Sequence, residues 1–391
     1  MKILYIGAFR LPNYDAAAPR VLNNAKAFRE AGHEVSFISW GGKYRETDLC
    51  EDGKYRVDGF EYVITGELDG EGSLLKRAID KMHRGEKSLA VIQKMIEQPD
   101  LIVMYNADRN WTKTMIRYCQ EHNIKLANDM TEWYDNNELR PTDILPNYLN
   151  MTRTQHEVQN KVVISSRLEK YYKNSNNLLL PPLCDKAEDK WGKEVEDDRI
   201  KPFDGVTLIY AGNPAKKDCV HTVINAVNEL ANGGAKIRFM ILGTTRESYI
   251  ERYKSLLKNS NLHENIMFLG RVSQDLIPAY YKKADFMVLL RKTSRKNMMG
   301  FPTKFAESMT AGVPVIANAT SDLDKYIVNG RTGFLLDSCS YEDILFCLKN
   351  RVLLLDRSNI ESMKLMTCNA NSPFDYRSHK NAVEEFFKKL K

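Results

Sequence analysis

Along the chain, short runs of apolar residues alternate with stretches whose apolar positions recur at helical spacing. "KILYIGAF" leads into "APRVLNNAKAFREAGH", where Val21, Leu22, Ala25 and Phe28 share one helical face and Gly32 supplies a stop. "EVSFISW", "PDLIVMYN" (Pro99–Asn106), "KLANDM" (Lys125–Met130), "KVVISS" (Lys161–Ser166) and "NNLLLPP" read as further strands, with "WTKTMIRYCQEHN" as a helix between two of them. The same pattern restarts at "VTLIYAG" and continues through "CVHTVINAVNELANGG", "IRFMILG", "NIMFLGRV", "ADFMVLL", "VPVIAN" and "GFLLD". Strand–helix alternation implies parallel strands joined by helical crossovers, and each half predicts an α/β, doubly wound, Rossmann-like domain.

The charged stretch "KAEDKWGKEVEDDRIKPFDG" between the halves has no periodic apolar face and reads as a linker. The expected boundaries are a first domain over 1–185, a linker over 186–204 and a second domain over 205–372. The remaining 373–391, with Val383, Phe386, Phe387 and Leu390 on one side of an amphipathic helix, is expected to pack back toward the first domain. Two domains suit a chain of 391 residues, too long for one ordinary core.

Composition changes this picture little. With 43% hydrophobic and 28% charged residues the chain is of the globular class, and no apolar run reaches the length of a bilayer span. "MKILYIGAF" reads as a first strand because no small-residue cleavage site follows it. The 7 cysteines are scattered without a C-x-x-C pair, which favours a reducing, cytoplasmic compartment over a disulfide framework or a zinc site. A net charge of +6 does not by itself indicate nucleic acid. Lys76, Arg77, Lys81, Arg84, Lys87 and Lys94 cluster in Ser73–Met95. They read either as a solvated helical face or as a surface attracted to anionic lipid headgroups at the inner face of a membrane.

In sheets of this kind ligands lie beyond the carboxyl ends of the strands. "LIYAG" runs into Gly212, Asn213, Lys216, Lys217 and Asp218, a glycine turn with lysines suited to a phosphate. "MFLG" runs into Arg271 and Val272, and "DFMVLL" into Arg291. "GFPTKFAESMTAGVPVIAN" then sets Gly300, Phe301 and Pro302 before a helix, with Thr303 as its expected N-cap. Free N–H groups at that start make an anion site. Thr303, Lys304 and Glu307 share a face, so Glu307 stands one turn onward, able to accept hydrogen bonds from two vicinal hydroxyls. The alternative is a solvated Lys304–Glu307 i,i+3 pair.

In order and spacing these segments resemble the retaining GT-B glycosyltransferases, glycosyltransferase family 4, and within it bacterial surface-polysaccharide transferases. The resemblance runs from "ILYIGAFRLPNYDAAAPRVLNNAKAFREAGHEVSFIS" to "ESMTAGVPVIAN…VNGRTGFLLD". It implies two Rossmann-like domains facing each other across a cleft, and transfer of a sugar from a nucleotide-diphosphate sugar to an acceptor hydroxyl. It also implies no cofactor or metal, and acceptors that are glycans or lipid-linked oligosaccharides of capsule, O-antigen or wall synthesis.

Residue by residue it implies that Lys217 holds the diphosphate, Glu307 the ribose, and Gly300–Pro302 the phosphate and sugar, with Arg271–Val272 beside the base. In that family the leaving phosphate itself is thought to take the acceptor's proton. Four departures stand out: Met299 where the first acid of the E-x7-E motif belongs, Asn213 for the phosphate arginine, Thr131 or Glu132 near the usual histidine, and Asp15-Ala16-Ala17 for a Gly-Gly turn. Arg291 and Lys304 are expected to restore the missing positive charge, and Asp15, Arg20, Thr131 and Glu132 to lie on the acceptor side. Two alternatives stay open, an inactive GT-B subunit that binds a nucleotide sugar or a partner, and a nucleotide-sugar 2-epimerase. A nicotinamide oxidoreductase is disfavoured, because no G-x-G-x-x-G follows the first strand.

Overall fold

The computed structural model describes residues 1–68, 83–215 and 217–391. The chain divides into two compact units, Met1–Leu183 with Tyr376–Lys391, and Cys184–Asp375.

The first unit holds an eight-stranded sheet: β1 (Lys2–Leu11), β2 (Glu34–Gly42), β3 (Arg56–Val57), β4 (Phe60–Ile64), β5 (Leu101–Tyr105), β6 (Lys125–Met130), β7 (Asn160–Val163) and β8 (Asn176–Leu179). Their order is β3-β4-β2-β1-β5-β6-β7-β8, parallel except for the β3–β4 hairpin. β1 and β5 pair from Ile3–Leu101 to Gly7–Tyr105, so the sheet reverses its strand order between them. Each face carries its own apolar layer, as a parallel sheet covered on both sides requires. Val21, Ala25 and Phe28 of the helix Ala17–Glu30 pack on one face together with Val383, Phe386 and Phe387 of the final helix, Lys380–Lys388. Trp111, Met115 and Cys119 of the helix Arg109–Glu121 pack on the other.

The second unit holds β9 (Val206–Tyr210), β10 (Ile237–Leu242), β11 (Ile266–Gly270), β12 (Phe286–Leu289), β13 (Val315–Asn318) and β14 (Gly333–Leu336), in the order β11-β10-β9-β12-β13-β14 and parallel throughout. β9 and β12 pair only through Leu208–Phe286 and Ile209–Met287 before diverging. That divergence is the topological switch point, where such sheets open a crevice. Every residue of β9, β10 and β12 is buried, which explains their unbroken apolar runs.

The expected linker is not a linker. Residues 184–204 belong to the second unit. Trp191 Nε1 donates to the Asp185 carbonyl (2.7 Å), Arg199 Nη1 to the Leu269 carbonyl (3.0 Å), and Tyr280 OH to Asp197 Oδ2 (2.9 Å). The segment is fastened by side-chain polar bonds, which leave no periodic apolar trace in the sequence. Cys184 also bridges Asp375, so the second unit begins and ends on neighbouring strands of backbone. Among the described residues no helix is long and apolar enough to cross a membrane.

Candidate functional site

In the second unit the divergence of β9 and β12 is filled by the loop that follows β9. After Gly212 the chain turns back: Lys292 N–H donates to the Lys217 carbonyl (3.2 Å), Cys219 N–H to the Leu290 carbonyl (2.8 Å), and Asp218 bridges Arg291. These bonds bring the side chain of Asp218 under the end of the sheet, where it is almost fully buried. Its Oδ1 accepts from Arg291 Nε (2.9 Å) and its Oδ2 from Tyr210 OH (2.7 Å), while Lys304 Nζ stands 3.7 Å away. Lys304 Nζ also donates to Tyr210 OH (2.9 Å).

Two cations therefore share one carboxylate. Burial alone would raise the Asp218 carboxyl, yet Arg291 and Lys304 hold it below the usual range. Burial lowers the Lys304 ammonium to about 8, opposed by Asp218 and assisted by the charges of Arg291 and Lys217. Ordinary carboxylate–lysine pairing is thus incomplete here, and a net positive charge remains at the switch point.

Glycines make this approach feasible. Gly212 has φ +124°, and a Cβ there would lie 2.6 Å from Lys304 Cε. Gly243, φ +98°, would place a Cβ 2.4 Å from the Gly212 carbonyl carbon. Both positions need the freedom of glycine, because neighbouring backbone and the lysine stem occupy the space a side chain would take.

The helix Thr303–Thr310 starts beside this cluster. Its N-cap is Pro302, with Thr303 the first helical residue and no side-chain cap, which corrects the expectation for Thr303. Proline fixes the backbone angle at the cap but brings no side-chain acceptor, so the N–H groups of Thr303 and Lys304 gain no side-chain cap, while Phe305 N–H donates to the Pro302 carbonyl (3.0 Å). Phe305 and Met309 are fully buried on the core side, and Phe301 packs edge-on against Phe305. Glu307 is partly buried on the other side. Burial raises its carboxyl, while the charges of Lys190 and Lys304 pull it back. No ion pair joins Lys304 to Glu307 among the described residues, since the lysine turns to Asp218 instead. Met299 closes the short helix Arg295–Met299 just before Gly300.

Arg271 lines a cavity of about 310 Å³ with Asn213, Gly243, Thr244, Ser248 and Tyr249, beyond the ends of β9, β10 and β11. Asn213 links this cavity to Gly212, against which Lys304 lies. Lys216 falls outside the described residues.

In the first unit a cavity of about 460 Å³ opens beyond β1, β5 and β6, and Asp15 and Glu132 line it together with Tyr105, Asn106 and Tyr134. Asp15 Oδ1 also accepts from the N–H groups of Ala17 (3.1 Å) and Ala18 (3.0 Å), anchoring the first helix. Thr131 is tied to Asn106, whose Oδ1 accepts its N–H (2.9 Å). Arg20, expected on the acceptor side, turns inward to the sheet. It is buried with its guanidinium on Asp129 (2.6 Å at Nη2) and on the Leu180 carbonyl (3.1 Å), and is not among the residues that line this cavity. Of the basic stretch, Lys76, Arg77 and Lys81 lie outside the described residues. Arg84 stands over the Trp40 ring (5.9 Å) and 3.7 Å from Asp108.

No local pattern marks Asp218 and Tyr210 as the hub. An aspartate after two lysines in a turn is ordinary, and its partners stand 73 and 86 positions further on at Arg291 and Lys304.

Residues 194–349 match the family described as Glycosyl transferases group 1. A GDP-mannose-dependent alpha-(1-6)-phosphatidylinositol monomannoside mannosyltransferase of Mycobacterium tuberculosis is 26% identical over 149 residues, 38% of this chain and 37% of that protein. The capsular polysaccharide biosynthesis glycosyltransferase CapM of Staphylococcus aureus is 25% identical over 161 residues, 41% of this chain and 38% of its own. The matched stretch thus spans well under half the length of these relatives. Among solved structures, sucrose-phosphate synthase from Thermosynechococcus elongatus superposes with a TM-score of 0.73 at 15% identity, covering 99% of this chain and 97% of that one. HepE of Anabaena, in complex with UDP and glucose, gives 0.68 at 14% identity with both chains covered in full. At such identities the likeness speaks for the fold. The chain has the GT-B fold, and its residues 194–349 match the glycosyl transferases group 1 family.

Proposed function

We propose that this protein transfers a sugar, with retention of anomeric configuration, from a nucleotide-diphosphate sugar to an acceptor hydroxyl in the assembly of a bacterial polysaccharide or glycolipid. The observation that carries the reading is the surplus of positive charge where Arg291 and Lys304 share Asp218 beside the unsatisfied start of the helix Thr303–Thr310. As the donor's glycosidic bond breaks, negative charge grows on the departing diphosphate. Fixed donors aimed at that charge lower the barrier, each by about 3–4 kcal/mol.

In this reading Arg291, Lys304, Lys217 and the N–H groups at Thr303–Lys304 hold the diphosphate, with Gly212 and Asn213 bordering it. Gly300 to Pro302 meet the sugar side, Glu307 the ribose diol, and Arg271–Val272 the base. The leaving phosphate takes the acceptor's proton, so the account needs neither a dedicated carboxylate base nor a cofactor. In the same reading the acceptor enters the cavity of the first unit that Asp15 and Glu132 line. The relatives' names support the reading, being mannosyl and capsular transferases, as does the UDP held by HepE.

The test is turnover with UDP-, GDP- and CMP-sugars against lipid-linked and soluble glycan acceptors, with the product anomer read by NMR. Transfer that retains the donor configuration and is lost in Glu307→Ala supports the proposal. Met299, standing where an acid is usual, favours one second reading, a subunit that binds nucleotide sugar without turnover. Tight nucleotide binding with silence across all donors would select it.

A further inference from the structure

The cavity of the first unit carries two arginines to which the proposed reaction gives no task. Arg84 and Arg109 both line it, together with Asp108. Gly85 brings them close. Its φ is +94°, and a Cβ there would collide with the ring of Trp111, in the first turn of the helix that Arg109 begins. Only glycine lets the turn carrying Arg84 lie against that helix. The Nε atoms of both arginines are buried without a hydrogen-bond partner. Among the described residues Arg109 forms no ion pair, and Arg84 pairs with Asp108 alone, its Nη1 3.7 Å from Oδ2.

The carboxylates of the cavity are engaged elsewhere. Asp108 Oδ1 accepts from the N–H groups of Asn110 (3.0 Å) and Trp111 (3.0 Å), capping the helix Arg109–Glu121. Asp15 Oδ1 holds the start of the first helix, and its Oδ2 stands 3.5 Å from Arg10 Nη1. Asp143 Oδ1 accepts from Thr142 OH (3.4 Å), and Glu132 too has a partner within the protein. A half-buried guanidinium with open donors is unfavourable unless an anion answers it. One further polar atom lacks a partner. Asn128, 1% exposed, donates through Nδ2 to Gln155 Oε1 (2.6 Å), and Gln155 Nε2 donates to the Ala107 carbonyl (3.2 Å). Both amides are thereby oriented, and Asn128 Oδ1 is left buried without a donor.

We propose that Arg84 and Arg109 form a phosphate subsite in this cavity, and that the acceptor is a phosphorylated glycan. Its phosphate ester lies on the two guanidinium groups and one of its hydroxyls donates to Asn128 Oδ1. This rests on the acceptor reading of the cavity given above. Guanidinium forks match phosphate oxygens in pairs, which an ammonium does not. Arg109 supplies the larger part, because Arg84 is already drawn to Asp108. The two arginines select and position the acceptor, while bond breaking stays with the cluster around Asp218.

The test is calorimetry on the full chain, with UDP or GDP present to fill the donor site. Hexose 1-phosphates are compared with the matching methyl hexosides, and with decyl-phosphoryl hexoses as the lipid-linked form of the same phosphate. The phosphate-bearing member should bind about ten- to a hundredfold more tightly than its neutral match. That advantage should vanish in Arg109→Gln and return in part in Arg109→Lys, while UDP affinity in both variants reports an intact second unit. Preference for the hexose 1-phosphate marks a soluble ester as the source, and preference for the decyl form alone marks a lipid headgroup; either supports the subsite. Equal binding of charged and neutral members, or a preference that survives Arg109→Gln, would overturn it. Silence with every sugar donor, with phosphate still bound through Arg109, would remove the transfer function and leave the subsite standing. Turnover on neutral glycans without any preference for phosphate would do the reverse.

Discussion

Each unit buries an aspartate with an arginine near the end of its parallel sheet, and the two sites differ in one count of charge. Asp129 meets Arg20 through three contacts of 2.6–3.2 Å, and its Oδ2 also accepts from Tyr5 OH (2.5 Å) and Asn24 Nδ2 (3.2 Å). One cation meets one anion and every lone pair is used. Asp218 also meets an arginine and a tyrosine, but a second cation, Lys304, crowds in at 3.7 Å. The first arrangement is neutral and closed, suited to pinning the helix Ala17–Glu30 to the sheet. The second is left positive and stands at a helix start and a strand divergence. The same residue types thus make a structural bolt in one unit and an anion site in the other, and what separates them is one extra ammonium.

The sharpest way to break the comparison is to remove each arginine. Arg20→Ala leaves the Asp129 charge buried without its partner and should cost about 3–5 kcal/mol in denaturant unfolding, while nucleotide affinity of the folded fraction stays unchanged. Arg291→Ala should instead show itself in turnover, falling by about two to three orders of magnitude, the scale of one lost charge-stabilising donor. Next in size, Glu307→Ala should weaken nucleotide binding by about 1.5–3 kcal/mol, the range of a hydrogen bond to a charged group, read by calorimetry.

The pH dependence sharpens the contrast. Lys304 titrates near 8 in the free protein, and an anionic ligand favours its charged form. Nucleotide-diphosphate affinity should therefore be constant below that pH and fall by up to about tenfold per unit above it, with the fall abolished in Lys304→Gln. The smallest effect concerns stability and has the opposite sign from the Arg20 case. Because the folded pKa of Lys304 lies below its unfolded value, the unfolded chain binds more protons between about pH 8 and 10.5. The lysine's charge thus opposes folding most fully below pH 8. Lys304→Met should leave the melting temperature at pH 7 unchanged or slightly raised, although it abolishes turnover.

Much of this was legible in the sequence, for definable reasons. Strands buried on both faces write themselves as apolar runs, so β9, β10 and β12 stood out. The turn Gly300–Pro302 announced a helix start with unsatisfied N–H groups, and the position of Glu307 one turn in followed from helical geometry. Arg291 and Lys304 were expected to share a charge-compensating role, and the fold brings them to the same carboxylate. That carboxylate was hidden because pairing across a sheet end depends on how β9 and β12 diverge, which no local pattern records. Lys304 illustrates the loss: sequence spacing offers Glu307 as a partner one turn away, whereas the side chain runs across Gly212 to Asp218. The folded attachment of 184–204 was hidden for a related reason, because polar fastenings carry no period. The exchange of Thr303 for Pro302 as the cap turns on one residue, within the scatter of helix ends.

The most direct measurement is a structure of the protein with a bound nucleoside diphosphate. β-Phosphate oxygens should lie within hydrogen-bonding distance of the N–H groups at Thr303 and Lys304 and of the Arg291 and Lys304 side chains, with the ribose diol on Glu307. A diphosphate seated elsewhere, with Lys304 still turned to Asp218 and the helix start untouched, would contradict this placement.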